Sequence, residues 1–167
     1  NQMARYASRL TETVSHQGLA TGELQLNDAR IRSTIDEDDL LSTSLRSASA
    51  IAKAEAINDF SEHSKVTARA MKTVRAGVSE VQGGRLDTGH ELIINNVVFS
   101  GIDVDIRERD ELIISINARA DETGVIATKD PDGRVVLEAE DGRNIEVVTT
   151  GNAHLITGIQ TTEGADL

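Results

Sequence analysis

The chain has no cysteine and no tryptophan, a single proline, and only three aromatic residues, Tyr6, Phe60 and Phe99. Without thiols, disulfides, thiolate metal sites and cysteine nucleophiles are excluded together, and the redox compartment is left unmarked. With so few aromatics, any core must be built from Val, Ile, Leu and Ala. Such a core is thin, and it disfavours a deep apolar ligand pocket. Basic residues are also scarce, 17 against 28 acidic ones for a formal charge of −11. They are scattered along the chain, which argues against binding nucleic acid or an anionic membrane surface. No apolar run approaches the ~18 residues of a membrane span, and no signal-peptide pattern opens the sequence. Because it begins Asn1-Gln2-Met3, it reads as a piece of a longer chain.

What the sequence does contain is a phrase stated twice. Ile57-Asn58, Val66 and Ala68 recur as Ile116-Asn117, Val125 and Ala127, all 59 residues later and without a gap. Upstream, Leu24, Leu26 and Asn27 recur as Leu92, Ile94 and Asn95, here 68 residues apart. The first copy thus carries nine extra residues, which fall in the acidic stretch Thr34 to Ser44. A period near 60 residues is too long for a solenoid turn and suits two small tandem modules.

The expected organisation follows from local pattern. Residues 1–20 carry Met3, Ala7, Leu10 and Val14 at a/d spacing and predict a helix, a coiled-coil remnant. Residues 21–86 form the first module, 87–160 the second, and 161–167 a tail. In the first, alternation around Asn27-Asp28 predicts a hairpin. A helix is expected from Asp38 or Asp39 to Asn58, with Leu41, Leu45, Ala48, Ala52 and Ile57 on its inner face. A strand follows over Val66 to Val74. Ala76 to Gly89 reads as a Gly-rich linker containing a short strand. The second module repeats this grammar, with a hairpin turning at Asn95-Asn96 and a helix presenting Leu112, Ile113, Ile116 and Ala120. Three strands then turn at Asp130 to Gly133 and at Asp141 to Asn144. The fold class is α+β, each module being a β-hairpin, a helix and a β-meander.

Physically, the repeated phrase is structural. Ile57 and Ile116 set the last apolar knob on a helix, and Asn58 and Asn117 are expected to end it in the left-handed conformation that Asn tolerates. A polar loop then returns Val and Ala, two apart, to the inner face of a strand. These residues resemble the central variable region of bacterial flagellins, and in particular the repeated flagellin hook "IN" motif, which also occurs in hook-associated and filament-cap proteins. Asn27 and Asn95 match the Asn of the family's first element, although Asp28 and Asn96 replace its Gly. Gly124 matches the Gly that precedes Val125, and Lys65 replaces it in the first copy. Asp141, Gly142, Arg143, Asn144 and Ile145 match the closing D-G-R-N-I. The resemblance runs from Gly22 to about Gly158.

The resemblance implies a structural, non-enzymatic domain on the exterior of a flagellar filament, extracellular, with other subunits as partners through terminal regions that lie outside this sequence. A hook-junction or cap protein is the alternative, and an adhesive or carbohydrate-binding module a further one, disfavoured by the lack of aromatics for sugar stacking. Contacts with host surfaces or antibodies are expected of such a domain; nucleic acid, membrane, cofactor and metal are not. The isolated chain is expected to be a monomer. The acidic run Asp36 to Asp39 lacks the register of a calcium loop and reads as a solvated, helix-capping segment. Asp130-Pro131-Asp132-Gly133 reads as a turn, and Asp103 with Asp105 as a solvent face. The four histidines share no metal-ligand spacing.

Overall fold

Asn27 and Asp28 both have positive φ, +45° and +67°, and Asn95 and Asn96 repeat them at +46° and +67°. Two successive left-handed residues make the two-residue turn whose twist matches that of flanking strands. Each turn closes a hairpin: β1 (Gln25–Leu26) with β2 (Ala29–Arg30), and β5 (Leu92–Ile94) with β6 (Val97–Phe99). The structure is a computed structural model and describes residues 17–105 and 110–162. The helix expected over residues 1–20, with its Met3, Ala7, Leu10 and Val14 seam, lies almost wholly outside these, as does most of the 161–167 tail.

The class is α+β, as expected: five short helices and ten short strands among the described residues. After the first hairpin come one 3-10 turn at Asp36–Asp38 and another at Arg46–Ala48, then α1 (Ala50–Asn58) and the one-turn α2 (Ser61–Ser64). Next are β3 (Thr73–Ala76) and β4 (Gly84–Leu86). Past β5 and β6 follow β7 (Ile102–Val104), α3 (Glu111–Asn117), the one-turn α4 (Ala120–Thr123), β8 (Ile126–Lys129), β9 (Val135–Ala139), β10 (Val147–Thr149) and α5 (Ala153–Thr157).

Several local expectations give way to longer-range pairing. The helix expected from Asp38 or Asp39 to Asn58 begins only at Ala50, capped by Ser49, whose hydroxyl accepts from the Ala52 amide at 3.0 Å. Leu45 breaks any earlier helix by taking a left-handed conformation, φ +49°. Leu41 and Leu45, expected to face inward, are instead exposed, while Ala48 and Ala52 are buried. The strand expected over Val66 to Val74 is regular only from Thr73 to Ala76. The short strand inside the Gly-rich stretch is β4, which pairs antiparallel with β7 and buries Leu86 completely.

Strand order in the second half also differs from a simple meander. β9 pairs with β8 on one side and with β3 on the other. β10 leaves that sheet and pairs antiparallel with β5, Val147 opposite Ile94 and Thr149 opposite Leu92. The Asp141 to Asn144 turn therefore carries the chain between two sheets rather than closing a hairpin. One apolar cluster fills the space between them: Leu86, Leu92, Ile94 and Phe99 from the strands, Leu112 and Ile116 from α3, Val125 just before β8, Ala127 and Leu137 from the second sheet, and Ile156 from α5. The first half buries much less, chiefly Ile31, Ala48, Ala52 and Ala56.

Candidate functional site: paired asparagine brackets and their junction

Asn58 and Asn117 are the last residues of α1 and α3, and neither has a positive φ. The left-handed residue expected there comes seven positions later, Lys65 at +57° and Gly124 at +70°, each ending a one-turn helix. The asparagines act through their side chains instead. Asn117 accepts the Ala127 amide at 2.7 Å and donates to the Ala127 carbonyl at 3.0 Å. Asn58 does the same to Ala68, at 2.8 and 2.9 Å. A side-chain amide has one donor face and one acceptor face, so it can replace a neighbouring strand for one residue. Each bracket thereby holds the returning chain to a helix end, and Ile116, with no exposed surface, shares the core with Val125 and Ala127. Ile57, Val66 and Ala68 are half-buried.

A second asparagine pins each loop. Asn95 donates to the Thr123 carbonyl at 2.8 Å, and Asn27 to the equivalent Ser64 carbonyl at 2.7 Å. The hydroxyls of Thr123 and Ser64 in turn accept the amides of Val125 and Val66, at 3.0 and 3.2 Å. These hydroxyls were not singled out from sequence. Their signal is a Ser or Thr two residues before Val at the same 59-residue offset.

The stretch Asp141 to Ile145 ties these parts together. Asp141 accepts the Arg143 amide at 3.1 Å and pairs with its guanidinium at 2.6 Å. Burial pushes the Asp141 carboxyl up, but the Arg143 side chain and amide outweigh it and hold it below the usual carboxylate range. The paired guanidinium lies against Gly124, where any Cβ would overlap it. Gly142, at φ +81°, backs onto the first half, since a Cβ there would stand 2.8 Å from both Ala70 Cβ and the Met71 carbonyl oxygen. Asn144 takes up the extra residues of the first copy: its amide donates to Ser42 Oγ at 2.8 Å, and its side chain donates to the carbonyls of Ser44 and Leu45 at 3.1 and 3.2 Å. Ile145 enters the core, and the next amide, Glu146, donates to Asn95 Oδ1 at 2.9 Å.

The acidic run is organised rather than simply solvated. Asp36 accepts the Ser47 amide, and Asp38 grips Arg32 with both oxygens, at 2.7 and 2.8 Å. The Arg32 hydrogen bonds hold Asp38 below its ordinary value, and the Asp38 and Asp59 carboxylates raise Arg32. Asp39 is fully buried. Its Oδ1 accepts the Leu41 and Ser42 amides, while its buried Oδ2 has no well-formed hydrogen bond. Burial raises the Asp39 carboxyl, yet the Ser42 and Ser49 hydroxyls and two amides bring it below its ordinary value. Asp103 is paired with Arg85 and Asp130 with Arg134. Among the described residues, no three His, Asp or Glu side chains are grouped to hold a metal ion. No helix among them is long and apolar enough to cross a membrane.

No protein-family model matches the chain. A stretch of 99 residues, 58% of the chain, is 38% identical to Flagellin A of Helicobacter pylori. The matched stretch spans 18% of that flagellin's length, so the chain answers to less than a fifth of it. Among the described residues, the interactions at the brackets and the junction are hydrogen bonds, an ion pair and packing contacts within the fold.

Proposed function

We propose that this chain is an outward-facing central portion of a flagellar filament subunit, built from two "IN" modules at residues 21–86 and 87–160 that share the sheet of β3, β9 and β8. The observation that carries this reading is the 38% identity to Flagellin A over 99 residues. The architecture supports it: short strands and helices are pinned by asparagine brackets, and the residues common to both copies serve position rather than chemistry. In this reading the chain is structural and extracellular, and it meets other subunits through regions outside residues 1–167. On the same reading, a formal net charge of −11 keeps it solvated on a filament exterior.

The test is deletion. Removing residues 21–160 from the parent subunit is expected to leave subunits that still polymerise, as filaments of smaller cross-section by electron microscopy. Loss of polymerisation would place the segment in the assembling core and overturn the proposal.

A further inference from the structure

The two copies differ in one respect that the repeat itself makes visible. In the second half, the outer edge of β5 is covered by β10: Thr150 donates to the Glu91 carbonyl at 3.0 Å, Val148 stands opposite Ile93, and Asn95 donates to the Glu146 carbonyl at 3.0 Å. The return strand beginning at Val125 is covered by β9, with Ile126 opposite Glu138 and Thr128 opposite Val136. β9 and β10 form one continuous stretch, Val135 to Thr149, joined by the Asp-Gly-Arg-Asn turn.

At offsets of 68 and 59, the equivalent edges of the first half are Glu23 to Asn27 and Val66 to Ala70. Neither is covered. Leu26 and Ala29 flank the two-residue turn and bond each other, so the backbone groups of Gln25 point away from β2. Among the described residues, those groups, the Asn27 amide and Asn27 Oδ1 have no partner, nor do the backbones of Thr67 and Arg69. The consequence shows in burial. Asn95 is 4% exposed and Leu92 and Ile94 are fully buried, whereas Asn27 is exposed and Leu24 and Leu26 are only half-buried. Val66 to Ala70 still alternate between half-buried and exposed, as a strand awaiting a neighbour would.

We infer that the first half is a strand acceptor, completed by a separate polypeptide segment with the pattern of Val135 to Thr149: an alternating apolar strand, an Asp-Gly-Arg-Asn-type turn, and a second alternating strand whose first amide meets Asn27 Oδ1. The occupant is specified by the second half, where the same edges are seen filled. Main-chain bonds would supply affinity, and the half-buried Leu24 and Leu26 would receive the alternate side chains. The inference stands apart from the flagellar reading, since it rests on the two copies alone.

The experiment titrates the isotope-labelled 167-residue chain with a synthetic peptide of the sequence of residues 134–150 and follows backbone amides by NMR. Saturable shifts are expected at Gln25, Asn27, Thr67 and Arg69, with Ile93 and Asn95 unmoved. The variant Gln25→Pro removes one outward donor without touching the β1–β2 bonds, and should weaken binding by about tenfold or more. Its unchanged spectrum elsewhere shows that it folds. Absent binding, shifts centred on Ile93 and Asn95, undiminished binding by Gln25→Pro, or a dimer of the chain paired through Gln25 would each overturn the inference.

Discussion

Replacing Asn117 by Ala removes both arms of the second bracket. Ala127 is 1% exposed, and its amide and carbonyl are bonded to Asn117 at 2.7 and 3.0 Å. A net hydrogen bond contributes about 0.5–1.5 kcal/mol, and a buried group left unsatisfied adds a desolvation cost. Asn117 itself is exposed, so water can enter where its amide stood and limit that cost. We expect Asn117→Ala to destabilise by about 1.5–3 kcal/mol. The same change at Asn58 should cost less, about 0.5–1.5 kcal/mol, because Ala68 is only half-buried and water reaches its backbone. Urea unfolding at unchanged m-value gives both numbers, and amide exchange should show faster opening at Ala127 in one variant and Ala68 in the other. A loss below about 0.5 kcal/mol for Asn117→Ala, with Ala127 still protected, would refute the bracket as a stabilising device.

Ile116→Ala empties a fully buried position in a core with few large side chains and should cost about 2–4 kcal/mol by the same unfolding measurement. Lys65 holds φ +57° where the second copy has Gly124, so Lys65→Gly should stabilise by up to about 1 kcal/mol in thermal or urea melts. Asp38, Asp39 and Asp141 all titrate below their ordinary range. Depressed carboxyls lend stability that is complete above the unfolded value of about 4 and is lost as pH falls through the folded values. Stability should therefore stay level across neutral pH and decline once pH drops below about 4, followed by denaturant midpoints. Sedimentation at micromolar concentration should show a monomer, because a charge of −11 opposes self-association; a tight oligomer would contradict this.

The parts of the fold readable from sequence are those whose signals are local or repeated. Asn27-Asp28 and Asn95-Asn96 announce their turns because few other residues accept two successive positive φ angles. The 59-residue offset aligns both brackets because each joins residues only ten apart. Ile116 is legible as core from helical spacing alone. What could not be read is set by partners distant in sequence. Leu41 and Leu45 fit a helix pattern, yet Asn144, about 100 positions away, fixes the carbonyls of Ser44 and Leu45 and the helix starts later. β10 looks like the third strand of a meander because nothing in Val147 to Thr149 distinguishes β9 from β5 as its neighbour. Asn117 ends its helix as expected but not in the left-handed conformation, because an Asn at a helix end can act by backbone or by side chain, and only the position of Ala127 decides which.

The most direct test of the flagellar reading is where the chain lies on the native filament. Antibodies raised against the folded 167-residue chain, detected with gold on intact flagella by electron microscopy, are predicted to label the shaft along its whole length. Label confined to the hook junction or to the tip, or absent from intact filaments while present on dissociated subunits, would contradict an exposed position on the filament subunit.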